Sequence, residues 1–169
     1  SMLGRFPAVG FLWKALSVSL QSQGKESLAV LQKTVEFLPE DADAHSNLGI
    51  ALAAIGQLDN AVTCYRRALK INPDLAAAHS NLGIALTDLG RIEDAIVSCR
   101  RALEIHPGSS EIHSSLGNAL KCLGQLDAAV ASYRLALEIK PDDAALHSNL
   151  GSVLKDLGRL DDAVASCHR

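Results

Sequence analysis

At 169 residues, 48% of them hydrophobic but only 4% aromatic, the chain is long enough to bury a core, and that core has to be built from small aliphatic side chains. A formal charge of -3 supplies no basic field for nucleic acid or an anionic membrane surface. No run of about 18 or more apolar residues is present, so no membrane span is expected.

Taken in order, residues 1–9 lack the apolar core of a secretory leader. Pro7 stands to Trp13 as Pro39 stands to His45, so this segment reads as the tail of an earlier helix pair, with Ser1 as an expression scar. Residues 10–41 read as a divergent pair: Trp13, Leu16 and Leu20 carry the spacing that His45, Leu48 and Leu52 carry later, and Gly24 stands for Gly56. Between Gly24 and Ser27 the turn is two residues shorter than in later copies, and Ser27 and Thr34 replace small alanines, which predicts looser packing. Residues 42–75, 76–109 and 110–143 are three full copies, and 144–169 is an incomplete one that stops inside its second helix. The chain therefore reads as part of a longer one. With no polar helix closing the stack, end-to-end self-association is one expectation.

The copies share one design. Leu48, Leu52 and Ile55 fall on one helical face and, after Gly56, Leu58, Ala61, Val62, Tyr65 and Leu69 share another, which predicts helix, turn, helix. Gly49, Ala61 and Ala68 recur as Gly83, Ala95, Ala102 and as Gly117, Ala129, Ala136, small residues where two helices approach closely. Pro73, Pro107 and Pro141 stop the second helices, because proline offers no amide donor and clashes with the preceding turn. Asp59, Asp94, Asp127 and Asp162 open those helices, and Arg66, Arg67, Lys70, Arg100, Arg101 and Lys140 lie towards their ends, complementing the helix dipole. The Leu-Gly pair returns at 48, 82, 116 and 150, a period of 34 that marks a stacked repeat.

This pattern resembles the tetratricopeptide repeat, whose signature runs from a tryptophan through Leu-Gly, an aromatic, alanine and phenylalanine to proline. His45, His79, His113 and His147 stand in place of the tryptophan, and Tyr65, Cys99, Tyr133 and Cys167 fill the large aromatic slot of the second helix. The resemblance implies an all-α, right-handed α-solenoid, a superhelix of antiparallel helix pairs whose first helices line the inner face. The function it implies is that of a scaffold for protein binding.

The candidate chemistry is sparse. Cys64, Cys99, Cys122 and Cys167 lack the close spacing of a zinc knuckle or redox motif; Cys99 and Cys167 read as buried apolar residues of a reducing, cytoplasmic compartment, and Cys122 as exposed. The histidine column invites a metal reading, but packed helices lie about 8–10 Å apart, whereas zinc ligands sit about 2 Å from one ion. A structural role between helices is expected instead. No phosphate loop, catalytic triad or paired carboxylate stands out, so neither catalysis nor a cofactor is expected.

The more informative column precedes each Leu-Gly: Asn47, Asn81, Ser115 and Asn149, flanked by Ser46, Ser80, Ser114 and Ser148. An amide both donates and accepts, so this ladder could hold an extended peptide or partner protein by its backbone; the alternative is that the amides tie helices together or face water. Asparagine at this place also resembles the array preceding the catalytic region of O-linked N-acetylglucosamine transferases. That likeness implies a substrate-selecting arm as an alternative function. The tetratricopeptide class that grips carboxylate tails through basic first helices is not matched, because Lys121 faces Asp43, Asp88 and Glu111 across the middle copies.

Overall fold

In the computed structural model of the protein, residues 10, 12–15 and 28–167 are described, Cys167 by its backbone only. The tail at 1–9, the spacing residues Leu16 and Leu20, the shortened turn from Gly24 to Ser27, the side chain of Cys167 and the chain end at Arg169 lie outside the described residues.

All the regular elements described are helices: α1 (Leu28–Phe37), α2 (Ala42–Ala54), α3 (Leu58–Ile71), α4 (Ala76–Asp88), α5 (Ile92–Ile105), α6 (Ser110–Cys122), α7 (Leu126–Ile139), α8 (Ala144–Asp156) and α9 (Leu160–Cys167). No helix among the described residues is long and apolar enough to cross a membrane. The chain divides into two compact units, Ser1–Ala78 and His79–Arg169, with the division inside α4.

Within each unit the helices pair through short turns of one kind. In the second unit, α6 ends with the Gly124 amide on the Lys121 carbonyl at 2.9 Å and the Gln125 amide on the Leu120 carbonyl at 2.9 Å. This two-bond closure needs a left-handed residue after the helix, and Gly124 supplies it with φ 77°. Gly56, Gly90 and Gly158 make the same closure. The chain thereby folds back: the Ser110 hydroxyl at the start of α6 donates to the Ala136 carbonyl near the end of α7 at 3.1 Å, and Lys140 just beyond α7 reaches Glu111 at 2.9 Å.

The paired helices cross at residues without bulk. A Cβ added at Gly49 would sit 2.6 Å from the Tyr65 ring, at Gly83 2.5 Å from Cys99 Sγ, and at Gly117 2.9 Å from the Tyr133 ring. Ala61, Ala68, Ala95, Ala102, Ala129 and Ala136 all have no exposed surface. Cys99 fills the aromatic slot as expected, and burial pushes its thiol up to about 11, so it stays a neutral, apolar filler. Thr34, expected to pack loosely in an alanine's place, is only 1% exposed, with its hydroxyl turned back to the Val30 carbonyl at 2.9 Å.

Three histidines of the column are tied to the preceding turn. Nε2 of His45, His113 and His147 lies 3.0, 3.0 and 2.7 Å from the carbonyls of Pro39, Pro107 and Pro141. A carbonyl only accepts, so each ring donates from Nε2 and fastens the start of one pair to the end of the last. Nδ1 of His113 and of His147 is buried with no partner among the described residues.

Several local readings are corrected. Ile55, placed on the buried face with Leu48 and Leu52, is 57% exposed, because it is the cap residue where α2 has already ended. Lys70 in the last turn of α3 and Lys140 at the C-cap of α7 stand at helix ends, whereas Arg66, Arg67, Arg100 and Arg101 lie a turn earlier. Arg67 instead pairs with Glu40, and Arg101 with Glu104 at 2.8 Å. Three first helices, α2, α6 and α8, are capped at their starts by side chains the sequence reading passed over. Asp41 accepts from the Ala44 amide at 2.9 Å, Ser109 from Ile112 at 3.3 Å, and Asp143 from Ala145 and Leu146 at 3.0 and 3.1 Å. Partial burial pushes the Asp41 carboxyl up, but Lys14 at 2.6 Å and the local amides outweigh it and hold it below its usual value.

Two outcomes test this packing. Ala95→Leu or Ala129→Leu lowers stability by about 1–3 kcal/mol through overpacking, while Asp88→Ala, on an exposed residue, leaves the thermal melt nearly unchanged. Equal shifts in all three contradict the assignment. His113→Ala removes a tie worth about 0.5–1.5 kcal/mol, and zinc added to the parent protein leaves its melting temperature unaltered; a zinc-dependent rise would show the column to be a metal site.

Candidate functional site

The asparagine column can be placed residue by residue. Asn47, on α2 in the first unit, and Asn81 and Asn149, on α4 and α8 in the second, are half-buried. None of the three amides is tied to a neighbouring helix among the described residues. Ser115 on α6 is also half-buried, and its hydroxyl donates to the Glu111 carbonyl at 2.9 Å, which leaves its lone pairs outward. The flanking serines are not equivalent. Ser46 is buried at 5% exposure, Ser80 and Ser114 are half-buried, and Ser148 is exposed.

A groove of about 420 Å³ opens in the second unit between α4 and α6, lined by Ile84, Thr87, Asp88, Ser115, Asn118, Lys121 and Cys122. Ser115 is the one sequence-selected binding residue among them. Three positions separate Asn81 from Ile84, Ser115 from Asn118 and Asn149 from Ser152, so the asparagine row lies one turn from the groove row on the same helical face. Both rows belong to one surface.

Its polar groups are set from behind. The Tyr133 ring lies across Gly117, and its hydroxyl donates to Asn118 Oδ1 at 2.5 Å. Burial, with Cys122 nearby, pushes this hydroxyl up to about 12, so it remains a donor at every ordinary pH. With the oxygen engaged, the Asn118 amide points its N–H groups away from the ring. One turn on, Lys121 Nζ lies 2.8 Å from Ser152 Oγ and 3.7 Å from Asp156. The exposed Asp88 has no ion-pair partner among the described residues, and Ile84 is 45% exposed. The signal that could have found Asn118 is that its place varies between copies: Ile50 and Ile84 in the two earlier ones and Ser152 in the next.

A larger cavity, about 670 Å³, lies between α7, α8 and α9 and includes Leu137, His147, Leu150 and Ala165. Among the described residues no three of histidine, cysteine, aspartate and glutamate gather as metal ligands would.

The fold has counterparts among solved structures. MamA (41-end) from Desulfovibrio magneticus RS-1 superposes with a TM-score of 0.84 at 22% identity, over 93% of this chain and 90% of that one. A crystal structure of MamA gives 0.80 at 20% identity, over 89% of each chain, and MamA MSR-1 gives 0.79 at 21%, over 94% and 92%. At such identities the likeness shows the fold alone. No curated protein sequence matches the chain. Tetratricopeptide repeat models match residues 51–90 with 117–158, 76–109 and 98–131, which together run from 51 to 158 without a gap. The chain belongs to the tetratricopeptide repeat family.

Proposed function

We propose that this protein-interaction module docks an extended peptide along the first-helix face of its second unit. Asn81 and Asn149 bond the main chain of the peptide, and Ser115 accepts from it. Asn47 offers the same chemistry in the first unit. The observation that carries this reading is the row of half-buried, uncommitted amides bordering the groove that contains exposed Ile84. Main-chain recognition of this kind depends little on the side chains of the partner.

The test uses peptides recovered from a phage-displayed random library. Each of Asn81→Ala and Asn149→Ala weakens binding by about 0.5–1.5 kcal/mol with the helical circular dichroism intact, and Ser115→Asn tightens it by completing the row. Undiminished affinity in the folded double variant would move the site elsewhere.

A second reading, association between copies, is favoured by Leu160 and Val164, which are 61% and 57% exposed. Their counterparts Val62, Ile96 and Val130 are buried at the place of Val164. Light scattering across a dilution series separates it from a monomeric docking module: a mass that holds constant would end it.

A further inference from the structure

The groove carries more information than a main-chain ladder requires. Two side chains of α4, Ile84 and Asp88, face it one turn apart, and two of α6, Asn118 and Lys121, face it from the other wall. Lys121 is already met by Asp156 and Ser152. Asp88 is therefore the charge left uncompensated among the lining residues, and the groove favours a cation. Ile84 is an aliphatic side chain left 45% exposed beside it. Asn118 is polar where its counterparts Ile50 and Ile84 are aliphatic and Ser152 is a short hydroxyl, and it is held from the core by the Tyr133 hydroxyl. One lone pair of its oxygen is taken by Tyr133, which fixes the amide and leaves a pair of N–H donors suited to a peptide carbonyl.

Spacing sets the order of the partner's residues. Side chains four apart on a helix stand about 6 Å apart along its axis, close to the roughly 6.6 Å spanned by two residues of extended chain. A segment that runs along α4 past Asp88, Ile84 and Asn81 before crossing to Ser115 and Asn149 therefore places every second side chain on the same wall over that first stretch. One such side chain covers Ile84 and the next meets Asp88.

We propose that Asn118, held by Tyr133, acts with Ile84 and Asp88 to make this groove selective for an extended peptide in which an aliphatic residue stands two positions from a lysine or arginine. This rests on the docking reading above and specifies the partner for that same site.

The experiment pans a phage-displayed random dodecapeptide library on the whole chain and measures fluorescein-labelled copies of the recovered peptides by anisotropy. The variants preserve the fold. Asn118→Ile installs the residue found at Ile50 and Ile84, and Tyr133→Phe keeps the ring over Gly117. The expected result is enrichment of aliphatic-any-basic triplets, a loss of tenfold or more in Asn118→Ile, a loss of threefold or more in Tyr133→Phe, and no preference for basic over neutral peptides in Asp88→Asn. Peptides weakened by Asn81→Ala and Asn149→Ala, yet acidic or neutral and indifferent to Asn118→Ile, would overturn this inference and leave the docking reading standing. Recovery of no peptide, or only of peptides indifferent to every variant, would overturn both.

Discussion

The close crossing of the two helices in each pair governs the rest of this structure. Glycine on the first helix faces Tyr65, Cys99 or Tyr133 on the second, with fully buried alanines beside it, and nothing larger than a hydrogen fits at the contact. A chain with so few aromatic residues gains its core from this intimacy, because dispersion and apolar burial both grow as backbones approach. The glycine turn and the histidine tie then fix the ends of each pair, so one local solution can be repeated with little variation.

The same crossing shapes the groove between α4 and α6. Tyr133 can pass over the first helix because Gly117 has no side chain, and its hydroxyl then emerges beside Asn118 on the opposite side. A core residue thereby orients a surface amide. Where Cys99 takes the tyrosine's place the groove position is Ile84, and no such bond can form. The third copy thus departs from its neighbours in the core and in the groove together.

Much of the fold was legible because a period of 34 repeats each signal several times. The Leu-Gly pairs, the alanines and the turn glycines all stand where their spacing put them. What escaped depended on direction rather than periodicity. Ile55 continues the apolar pattern by number, but α2 has ended before it, so its side chain leaves the core. Arg67 and Arg101 lie on helices whose dipoles could attract them, yet nearer carboxylates claim them. The candidate site was only half legible: the asparagine column lies on the first-helix face, whereas the groove opens one turn further along, where the copies differ. A repeated residue is easy to find by period, and a departure such as Asn118 gains meaning only once its partner Tyr133 is seen behind it.

The account's central claim is that the first-helix amides of the second unit contact a bound peptide. Side-chain amide resonances of Asn81, Asn118 and Asn149, followed by nitrogen-15 NMR during titration with a recovered peptide, test it most directly. The account predicts that these signals shift together and become slower to exchange with water, while the backbone around Val97 and Leu135 on the second helices stays in place. Unmoved asparagine signals beside shifts centred on Val97 and Leu135 would contradict it.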